Sequence, residues 1–553
     1  MWLTTPSRTF LLLLLGMLSG CQQQQAPPDT VFIGRFVTFD AGQPEVEAIA
    51  VNDGRIVATG TRVAMLALAG KETQRIEVPG IAVPGWVDAH VHISGLGSTF
   101  ETLNVEKMSK EAIAKAVAAA ALKAPAGDWI IGRGWDEGYF VARKDPGAAD
   151  LDPVSSQHPV VLTGIAAHSV WVNSRALERA GVTDATPDPP GGRIVRDAEG
   201  RATGLLLEEA QKLITAVMPD TNTAAARERR IRAALEQYVR WGLTGVHDAG
   251  TELEDIAILE KLLQNGELPL RVYAMAYGDK AVEHYLAKGP EIGTGDGRLT
   301  VRSFKIYVDG ALGSRGAELS APYSDASQTA GLRQMQDADL DRFIKRAQQK
   351  KFQVNAHAIG DLGVKRTLDA IERNRVSAAD RYRIEHASMI APESMQRFRK
   401  LGVVASMQPV FIGEYSRWGM ERVGPDRAAW LMPIADLVIT GAVLASGTDY
   451  PASDTGDPRA TLSALVTRSG FDGKPAAGFF RNQAVDVTTA LWSMSEGPAY
   501  AAFQERDLGR LTVGRYADFT VLGEDPRQVP KERLLHLPVL MTVVGGKVTL
   551  RGS

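Results

Sequence analysis

The sequence predicts an α/β fold, in which a (β/α)8 TIM-type barrel with an insertion is joined to a small composite β-sandwich from both chain ends. Eight short apolar segments alternate with helical stretches through the middle of the chain, and eight parallel strands close such a barrel. Short alternating β segments, separated by turn residues, occupy both ends of the chain. A chain of 553 residues is long enough for one barrel with additions.

The composition excludes several classes of protein. Hydrophobic residues make up 44% and charged residues 23%, as in a soluble globular protein, and no long apolar stretch follows the N-terminus. The formal net charge is −3, which indicates no polyanionic partner such as nucleic acid. We therefore expect a small-molecule substrate, whereas the sequence leaves the oligomeric state open.

The N-terminal segment, residues 1–20, predicts a lipoprotein signal peptide. Arg8 precedes a leucine-rich run that is too short to be a stable membrane anchor. The segment Leu18-Ser19-Gly20-Cys21 resembles the bacterial lipobox, in which the cysteine is lipidated and becomes the mature N-terminus. An ordinary signal peptide with a chance cysteine is the alternative interpretation.

Cys21 is the only cysteine in the chain, so no internal disulfide can form. Gln22, in place of an aspartate after the cysteine, is similar to lipoproteins of the outer membrane. Residues 21–30 then predict a flexible tether. We expect an exported protein, anchored only through its N-terminal lipid at the periplasmic face of the outer membrane.

The composite β domain is predicted from residues 31–80 and 506–553. In the first part, the hairpin turn Asn52-Asp53-Gly54 separates two alternating segments. In the second part, Gly545-Gly546 separates another pair of such segments. Because the same pattern occurs at both ends, we expect one small domain beside a large central one.

The central domain, residues 81–505, contains the predicted barrel. Its eight strands are predicted at residues 80–87, 245–248, 271–276, 301–308, 353–356, 383–385, 403–406 and 443–447. The first two strands are far apart in the chain, so we place an insertion at about residues 98–240 and expect it to cover the mouth of the barrel. Residues 223–241 predict the helix that enters the second strand.

Histidines are concentrated at the ends of the predicted strands. His90 and His92 follow the first strand, and the alternation of an extended chain lets both face the barrel axis. His357 and His386 end two later strands, so four of the nine histidines lie at these positions. Asp449 follows the last strand. Because the carboxyl ends of barrel strands meet at one mouth, these residues predict a metal site.

Four segments carry a resemblance to a known family. They are Pro84-Gly85-Trp86-Val87-Asp88-Ala89-His90-Val91-His92, Asn355-Ala356-His357-Ala358-Ile359-Gly360-Asp361, Arg383-Ile384-Glu385-His386-Ala387 and Ser446-Gly447-Thr448-Asp449-Tyr450-Pro451. As a set, they resemble the amidohydrolase superfamily, and more narrowly the amidohydrolase-3 branch that includes relatives of N-acyl-amino-acid deacylase. The resemblance runs from about residue 31 to the C-terminus.

The resemblance implies a site with two divalent metal ions. It assigns one ion to His90, His92 and Asp449, the other to His357 and His386, and a bridging role to a carboxylated lysine, at the position of Lys305. Zinc is the favoured ion, although manganese, iron and cobalt fit the same ligands. If Lys305 instead pairs with Asp309 or another acid, the site is expected to hold a single ion.

The resemblance also implies the reaction. We expect metal-activated hydroxide to cleave a C–N bond of amide type, outside peptide bonds or in an N-acyl amino acid or dipeptide, with Asp449 as the catalytic general base. A mononuclear deaminase is one alternative, although the chain lacks the His-x-x-Glu arrangement typical of family deaminases after the fifth strand. A non-catalytic surface-binding lipoprotein is the other.

Substrate contacts are predicted less directly. Arg133 and Trp135 lie in a glycine-flanked part of the insertion, and His168 lies further along the insertion. Arg315 follows the fourth strand and could bind a carboxylate. Each of the four could equally serve the structure of its loop. His247, at the end of the second strand, is expected to be structural.

Overall fold

The structure is a computed structural model that describes residues 26–141, 144–165, 167–219 and 223–551. Cys21, the predicted signal peptide and half of the predicted tether lie outside the described residues, so lipid attachment stays a prediction. Among the helices in these ranges, none is long and apolar enough to cross a membrane.

The strands of the described residues are β1 Thr30–Val37, β2 Glu45–Asn52, β3 Arg55–Gly60, β4 Gln74–Pro84, β5 Trp86–Val91, β6 Leu103–Asn104, β7 Ile130–Trp135, β8 Val160–Gly164, β9 Ser169–Val172, β10 Gly192–Arg196, β11 Ala202–Glu208, β12 Leu243–Thr251, β13 Arg271–Ala276, β14 Glu291–Gly293, β15 Leu299–Tyr307, β16 Gln353–Ala358, β17 Arg383–His386, β18 Val404–Met407, β19 Leu444–Ser446, β20 Phe519–Leu522, β21 Val539–Val544 and β22 Lys547–Arg551.

The longer helices, of six residues or more, are α1 Arg62–Ala67, α2 Ile93–Thr99, α3 Lys110–Ala121, α4 Ala148–Ser155, α5 Ser174–Ala180, α6 Ala224–Arg240, α7 Leu253–Gln264, α8 Gly278–Lys288, α9 Asp337–Gln349, α10 Asp361–Arg373, α11 Pro392–Leu401, α12 Phe411–Val423, α13 Ile434–Ile439, α14 Pro458–Thr467, α15 Val487–Ser493 and α16 Glu496–Ala501.

The central sheet is the predicted eight-stranded parallel barrel. Its strands follow the order β5, β12, β13, β15, β16, β17, β18 and β19, and each neighbouring pair in that order is parallel. Seven of the eight barrel strands lie where the sequence predicts them, and the first is shifted. The helix predicted at residues 223–241 is α6, which begins after the capping side chain of Thr223 and enters β12 through Gly242.

The seam of the barrel lies between the last strand and the first. The backbone N–H of Asp449 donates to the carbonyl oxygen of His90 at 2.7 Å, and that of His92 donates to Tyr450 at 3.2 Å. A Cβ atom on Gly447 would lie 2.6 Å from the backbone nitrogen of His90, so only glycine allows this approach. The seam therefore brings the loop after the last strand against two of the predicted metal ligands.

The first barrel strand was misplaced by the sequence. Residues 80–84 belong to β4, which pairs with β20 in the composite domain, and the barrel strand is β5. The chain passes between the two sheets at Gly85, where a Cβ atom would lie 2.3 Å from the hydroxyl oxygen of Thr244. The two buried strands follow one another with a single residue between them, so their apolar pattern reads as one strand.

The two chain ends form one composite domain, as predicted. Its seven strands lie in a single continuous sheet, in the order β22, β21, β20, β4, β1, β2 and β3, in place of two stacked sheets. The aromatic rings of Phe32 and Phe36 pack edge to face against Phe519, with centroids 5.1 and 5.5 Å apart. These contacts join the N-terminal and C-terminal strands through one small core.

The insertion has a sheet of its own. Six strands follow the order β10, β11, β9, β8, β7 and β6 and carry helices α3 to α5. The side chain of Arg133, in β7, donates to the carbonyl oxygen of Pro451 at 2.6 Å, in the loop that follows the last barrel strand. The insertion thus contacts the mouth of the barrel, and the expectation that it covers the mouth stays a prediction.

Candidate metal centre

The six predicted ligands converge at the carboxyl ends of the barrel strands. They come from five barrel strands: His90 lies in β5 and His92 directly after it, Lys305 lies in β15, His357 in β16, His386 in β17, and Asp449 follows β19. All are buried except His92, whose side chain is 28% exposed. The barrel therefore gathers at one mouth six side chains that are up to 359 residues apart in the chain, as expected for an active site of this fold.

Asp449 is at the centre of the first group of donors. Its Oδ1 atom lies 2.9 Å from Nε2 of His92 and 3.3 Å from Nε2 of His90. One donor atom from each of these three residues lies within 4.8 Å of the other two. This spacing allows a single ion to contact all three.

The backbone at two ligand positions is strained. Asp449 has φ = 63° and His386 has φ = 74°, in the left-handed region that residues other than glycine rarely adopt. Such a conformation costs of order 1–3 kcal/mol and persists only where the surroundings enforce it. At Asp449, the hydrogen bond from its N–H to the carbonyl oxygen of His90 holds the backbone in this conformation. The strained backbone therefore positions a predicted metal ligand.

Asp88 fixes the two strands of the seam together. Its Oδ1 atom accepts the N–H groups of His90 at 3.1 Å and Thr448 at 3.0 Å, and its Oδ2 atom accepts the hydroxyl of Thr448 at 2.7 Å. Burial raises the pKa of Asp88 to about 7, against the hydrogen bonds, which lower it. The carboxyl group therefore holds the backbone at His90 and at Thr448, the residue before Asp449, which fixes two predicted ligands relative to each other.

His357 and His386 form the second group of donors. Their rings lie 4.4 Å apart, centroid to centroid. Nδ1 of His386 lies 2.8 Å from the amide oxygen of Gln408, which can only accept, so Nδ1 carries the proton and Nε2 keeps its lone pair. Nε2 of His357 faces the carbonyl oxygen of Gly310 at 3.4 Å. Each ring therefore has one nitrogen directed at the protein and one left to bind an ion.

The protonation states of His357, His386 and Asp449 suit metal binding. Burial lowers the pKa of His357 to about 3 and that of His386 well below its usual value, so both rings are neutral near pH 7. Burial alone would raise the pKa of Asp449, but the neighbouring side chains of His90, His92 and His386 hold it well below the usual range. Burial and the charge of Lys305 oppose protonation of His90, yet Glu385 and Asp449 raise its pKa overall, so an ion that binds Nε2 has to displace a proton from this ring. Neutral imidazoles and an ionised carboxylate are what a divalent transition metal requires.

Lys305 lies inside this cluster. It is 2% exposed, and its Nζ atom lies 3.4 Å from Nε2 of His90. Burial lowers the pKa of the Lys305 amine. Within the described ranges it forms no ion pair with an acid, and Asp309 instead accepts the N–H groups of Glu318, Ile359 and Gly360 at 2.8–2.9 Å. In the structure, Asp309 is therefore not the partner of Lys305.

Two charged residues beside the ligands were not singled out from the sequence. Oε2 of Glu385 lies 2.5 Å from Nδ1 of His90, and Oε1 lies 2.7 Å from Nε of Arg383. The available signal was the segment Arg383-Ile384-Glu385-His386, in which two charged residues occupy a strand that is buried on both faces. Such charges are rare in barrel strands unless they are paired.

A cavity of about 500 Å³ opens beside His92. It lies between the barrel and the insertion: Asp248 and Pro451 line it from the barrel, and Arg133 and Ile165 line it from the insertion. Arg133 also donates to Glu106 at 2.8 Å, so its guanidinium is held by two partners. Arg133 therefore lines the cavity where a substrate could bind, and its contact with substrate stays a prediction.

The other three residues predicted to contact substrate each have a partner within the protein. Trp135 is 5% exposed, and its indole N–H donates to the carbonyl oxygen of Leu162 inside the core of the insertion, which favours a structural role, and its substrate contact stays a prediction. The guanidinium of Arg315 pairs with both carboxylate oxygens of Asp325, at 3.1 and 2.8 Å, and its contact with a substrate carboxylate stays a prediction. His168 pairs with Glu208 at 2.9 Å, and its role stays a prediction.

The expectation that His247 is structural agrees with its contacts. Its Nδ1 atom accepts from Nη1 of Arg383 at 3.0 Å, and its side chain is buried. Asp248 accepts the N–H of Ile93 and the hydroxyl of Thr251. Both side chains of this strand end are therefore engaged by protein groups.

Comparisons with known proteins agree with this geometry. A protein-family model described as "Amidohydrolase family" matches residues 80–550 of the sequence. A putative amidohydrolase, YtcJ, of Bacillus subtilis (strain 168) is 32% identical over 519 residues, which cover 92% of this chain and 96% of that protein. The N-substituted formamide deformylase of Arthrobacter pascens is 26% identical over 534 residues, which cover 92% of this chain and 96% of that protein.

A solved structure matches along nearly the whole chain. An uncharacterized metal-dependent hydrolase from Pyrococcus horikoshii OT3 superposes with a TM-score of 0.75 and 26% sequence identity, over 91% of this chain and 99% of that one. The match therefore includes the composite domain and the insertion as well as the barrel.

Proposed function

Because this chain belongs to the amidohydrolase family, we propose that it is a metal-dependent hydrolase that cleaves a C–N bond of amide type in small molecules. One observation carries the proposal: four histidines, a lysine and an aspartate from five barrel strands meet at one mouth, beside a cavity of about 500 Å³. Two ions are proposed, zinc being favoured by the imidazole and carboxylate donors.

The ligand set follows from the two groups of donors. His90, His92 and Asp449 would hold one ion, and His357 and His386 would hold the other. Ions bound there supply Lewis-acid activation of the substrate carbonyl and lower the pKa of water from about 15.7 towards about 7. Bridging of the two ions and proton transfer are assigned to two residues of the chain, Lys305 and Asp449.

Lys305 is proposed to bridge the two groups as a carbamate. A protonated amine has no lone pair and repels cations, so it cannot serve as a ligand. The buried Lys305 amine, whose pKa is lowered, can add its lone pair to carbon dioxide and release a proton, which gives a carbamate with one negative charge. Its place beside His90, without an acidic partner in the described residues, supports this role.

Asp449 is proposed as the general base and acid. Its carboxylate is ionised and lies within reach of any water held between the histidines. It would take a proton from the attacking water and later deliver it to the departing amine nitrogen. Positioned proton transfer of this kind contributes about 10²–10⁴ in rate. Products would be a carboxylic acid and an amine.

The substrate class is proposed from the cavity and the relatives. A cavity of about 500 Å³ suits a small molecule. N-acyl amino acids and small dipeptides are the first candidates, and N-substituted formamides follow from the relative of that name. Protein without residues 1–21, prepared without chelators, should release amine from one of these classes. Failure of every class in the presence of zinc or manganese and bicarbonate would contradict amide hydrolysis.

We also propose export and lipid attachment at Cys21. The support is the sequence pattern alone, since Cys21 lies outside the described residues. Intact-mass measurement of the membrane-extracted protein should show loss of residues 1–20 and the added mass of a diacylglyceryl group. A mature chain without lipid would contradict the anchor and leave the hydrolase proposal untouched.

A further inference from the structure

A buried chain of polar groups lies directly behind His90, and the proposed reaction does not use it. It runs from Arg383 through Glu385 to His90, with separations of 2.7 Å from Nε to Oε1 and 2.5 Å from Oε2 to Nδ1. All three residues are 0% exposed. Removing two charged groups from water costs several kcal/mol per ion unless they are well paired, so their presence calls for a specific role.

We propose that Glu385 and Arg383 are positioning residues that fix the tautomer and the orientation of the His90 ring for metal binding. This inference rests on the proposed function, because it concerns the same centre. The ionised carboxylate of Glu385 can only accept, so Nδ1 of His90 must carry the proton. Nε2 then keeps its lone pair, and Nε2 is the atom that lies 3.3 Å from Oδ1 of Asp449.

Arg383 supplies more than a counter-charge. Its Nη2 donates to the carbonyl oxygen of Ala89 at 2.6 Å and to the hydroxyl of Ser406 at 2.8 Å, and its Nη1 donates to His247 at 3.0 Å. One guanidinium thus ties the strand of Glu385 to three other barrel strands. Ala89 precedes His90, so Arg383 holds the backbone next to His90 directly and holds the His90 ring through Glu385.

A merely structural ion pair is the competing explanation, and the chain contains a matched control. Arg271 and Asp518 form another buried pair, with both side chains 5% exposed and contacts of 2.6 and 2.9 Å. Arg271 begins a barrel strand, so this pair lies at the end of the barrel opposite the metal centre. Neutralising Asp518 should remove a buried charge pair without touching a ligand.

Glu385→Gln is the informative change because it keeps the shape of the side chain. The amide oxygen is expected to face the N–H groups of Arg383, which turns the NH2 group towards Nδ1 of His90. Nδ1 must then accept, and the proton moves to Nε2, where it blocks the metal-binding lone pair. Loss of such a partner typically lowers metal affinity by about 10- to 100-fold.

The experiment titrates zinc into metal-free wild type, Glu385→Gln and Asp518→Asn, in competition with a chromophoric chelator. Thermal unfolding of each metal-free protein is followed in parallel. Both variants should unfold at lower temperature, but only Glu385→Gln should lose zinc affinity, by about 10- to 100-fold. If Glu385→Gln does not fold, Glu385→Asp keeps the charge but withdraws it by about 1.5 Å, and the same loss of affinity is expected.

The outcomes separate this inference from the proposed function. A folded Glu385→Gln or Glu385→Asp protein with wild-type zinc affinity, or an equal loss in Asp518→Asn, would overturn the positioning role alone. Wild-type protein that binds no zinc would contradict the proposed metal centre itself, and the positioning role with it. The cobalt-substituted proteins give a second readout, because a changed ligand set at His90 alters the visible absorption spectrum in Glu385→Gln and not in Asp518→Asn.

Discussion

The Oδ1 atom of Asp449 lies 2.9 Å from Nε2 of His92, although the two residues are 357 positions apart in the chain. The contact crosses the seam of the barrel and joins the loop after the last strand to the end of the first. It places the only carboxylate among the proposed ligands between two imidazoles. In the proposed mechanism, the same side chain is therefore both metal ligand and proton carrier.

Replacing Asp449 with asparagine tests this double role. Asparagine keeps the size of the side chain but cannot take up the proton from water, so kcat should fall at least about a hundredfold. The far-ultraviolet circular dichroism spectrum should match that of wild type. Unchanged turnover of the best amide substrate would contradict the role of Asp449 in proton transfer.

Arg133 and Arg315 are expected to behave differently. Arg133→Ala removes charged hydrogen bonds to Glu106 and to Pro451, next to the cavity. Because the loop after the last barrel strand is then held less firmly against the insertion, kcat/KM should fall by roughly tenfold. Arg315→Ala breaks an ion pair whose side chains are 36% and 22% exposed, which is worth about 0–1 kcal/mol, and should leave kcat/KM close to wild type. Equal losses in both variants would argue against a special position of Arg133.

Trp135 is expected to affect stability rather than substrate binding. Its ring packs with Phe140 and Trp171 in the core of the insertion, with centroids 6.1 and 6.3 Å away. Trp135→Ala should lower the free energy of unfolding by about 3–5 kcal/mol, as measured by chemical denaturation. At a temperature where the variant is folded, KM should change little. A large rise in KM with unchanged stability would return Trp135 to the substrate site.

The stability of the metal-free protein should depend on pH through His247. Burial and the neighbouring charge of Arg383 lower its pKa well below 6.5 in the folded state. The unfolded chain binds a proton at this histidine below about pH 6.5, and the folded chain does not, so folding stability is lost as the pH falls below that value. The loss reaches about 1.4 kcal/mol per pH unit for each such histidine.

His247→Gln keeps an acceptor for Arg383 but cannot take up a proton. Its free energy of unfolding, measured by denaturant titration between pH 4 and pH 8, should therefore fall less steeply below about pH 6.5 than that of wild type. Parallel profiles for the two proteins would show that His247 does not carry this dependence.

The sequence predicted the elements whose physical signal is local. The barrel strands are short buried runs bounded by polar residues, and the proposed ligands lie at their ends, where a histidine or an aspartate interrupts the apolar pattern. The helix before β12 was predicted because Thr223 caps it and Gly242 follows it. Four short motifs, each weak alone, were specific as a set.

Other features depend on contacts that no local pattern encodes. The role proposed for Glu385 and Arg383 depends on His90, which is nearly 300 residues away in the chain. The burial of Trp135 depends on the separate sheet that the insertion forms. Two strands that share one apolar run across Gly85 were read as one. In each case the deciding neighbour is distant in sequence.

The metal content per chain is the measurement that tests the central claim most directly. Protein without residues 1–21, purified without chelators, should contain about two equivalents of divalent metal by elemental analysis, and Lys305→Met should contain about one, because the bridging ligand is lost. One equivalent in wild type and no change in Lys305→Met would contradict the bridged pair of ions. No metal in wild type, even with added zinc or manganese and bicarbonate, would contradict a metal-dependent hydrolase and favour a binding protein.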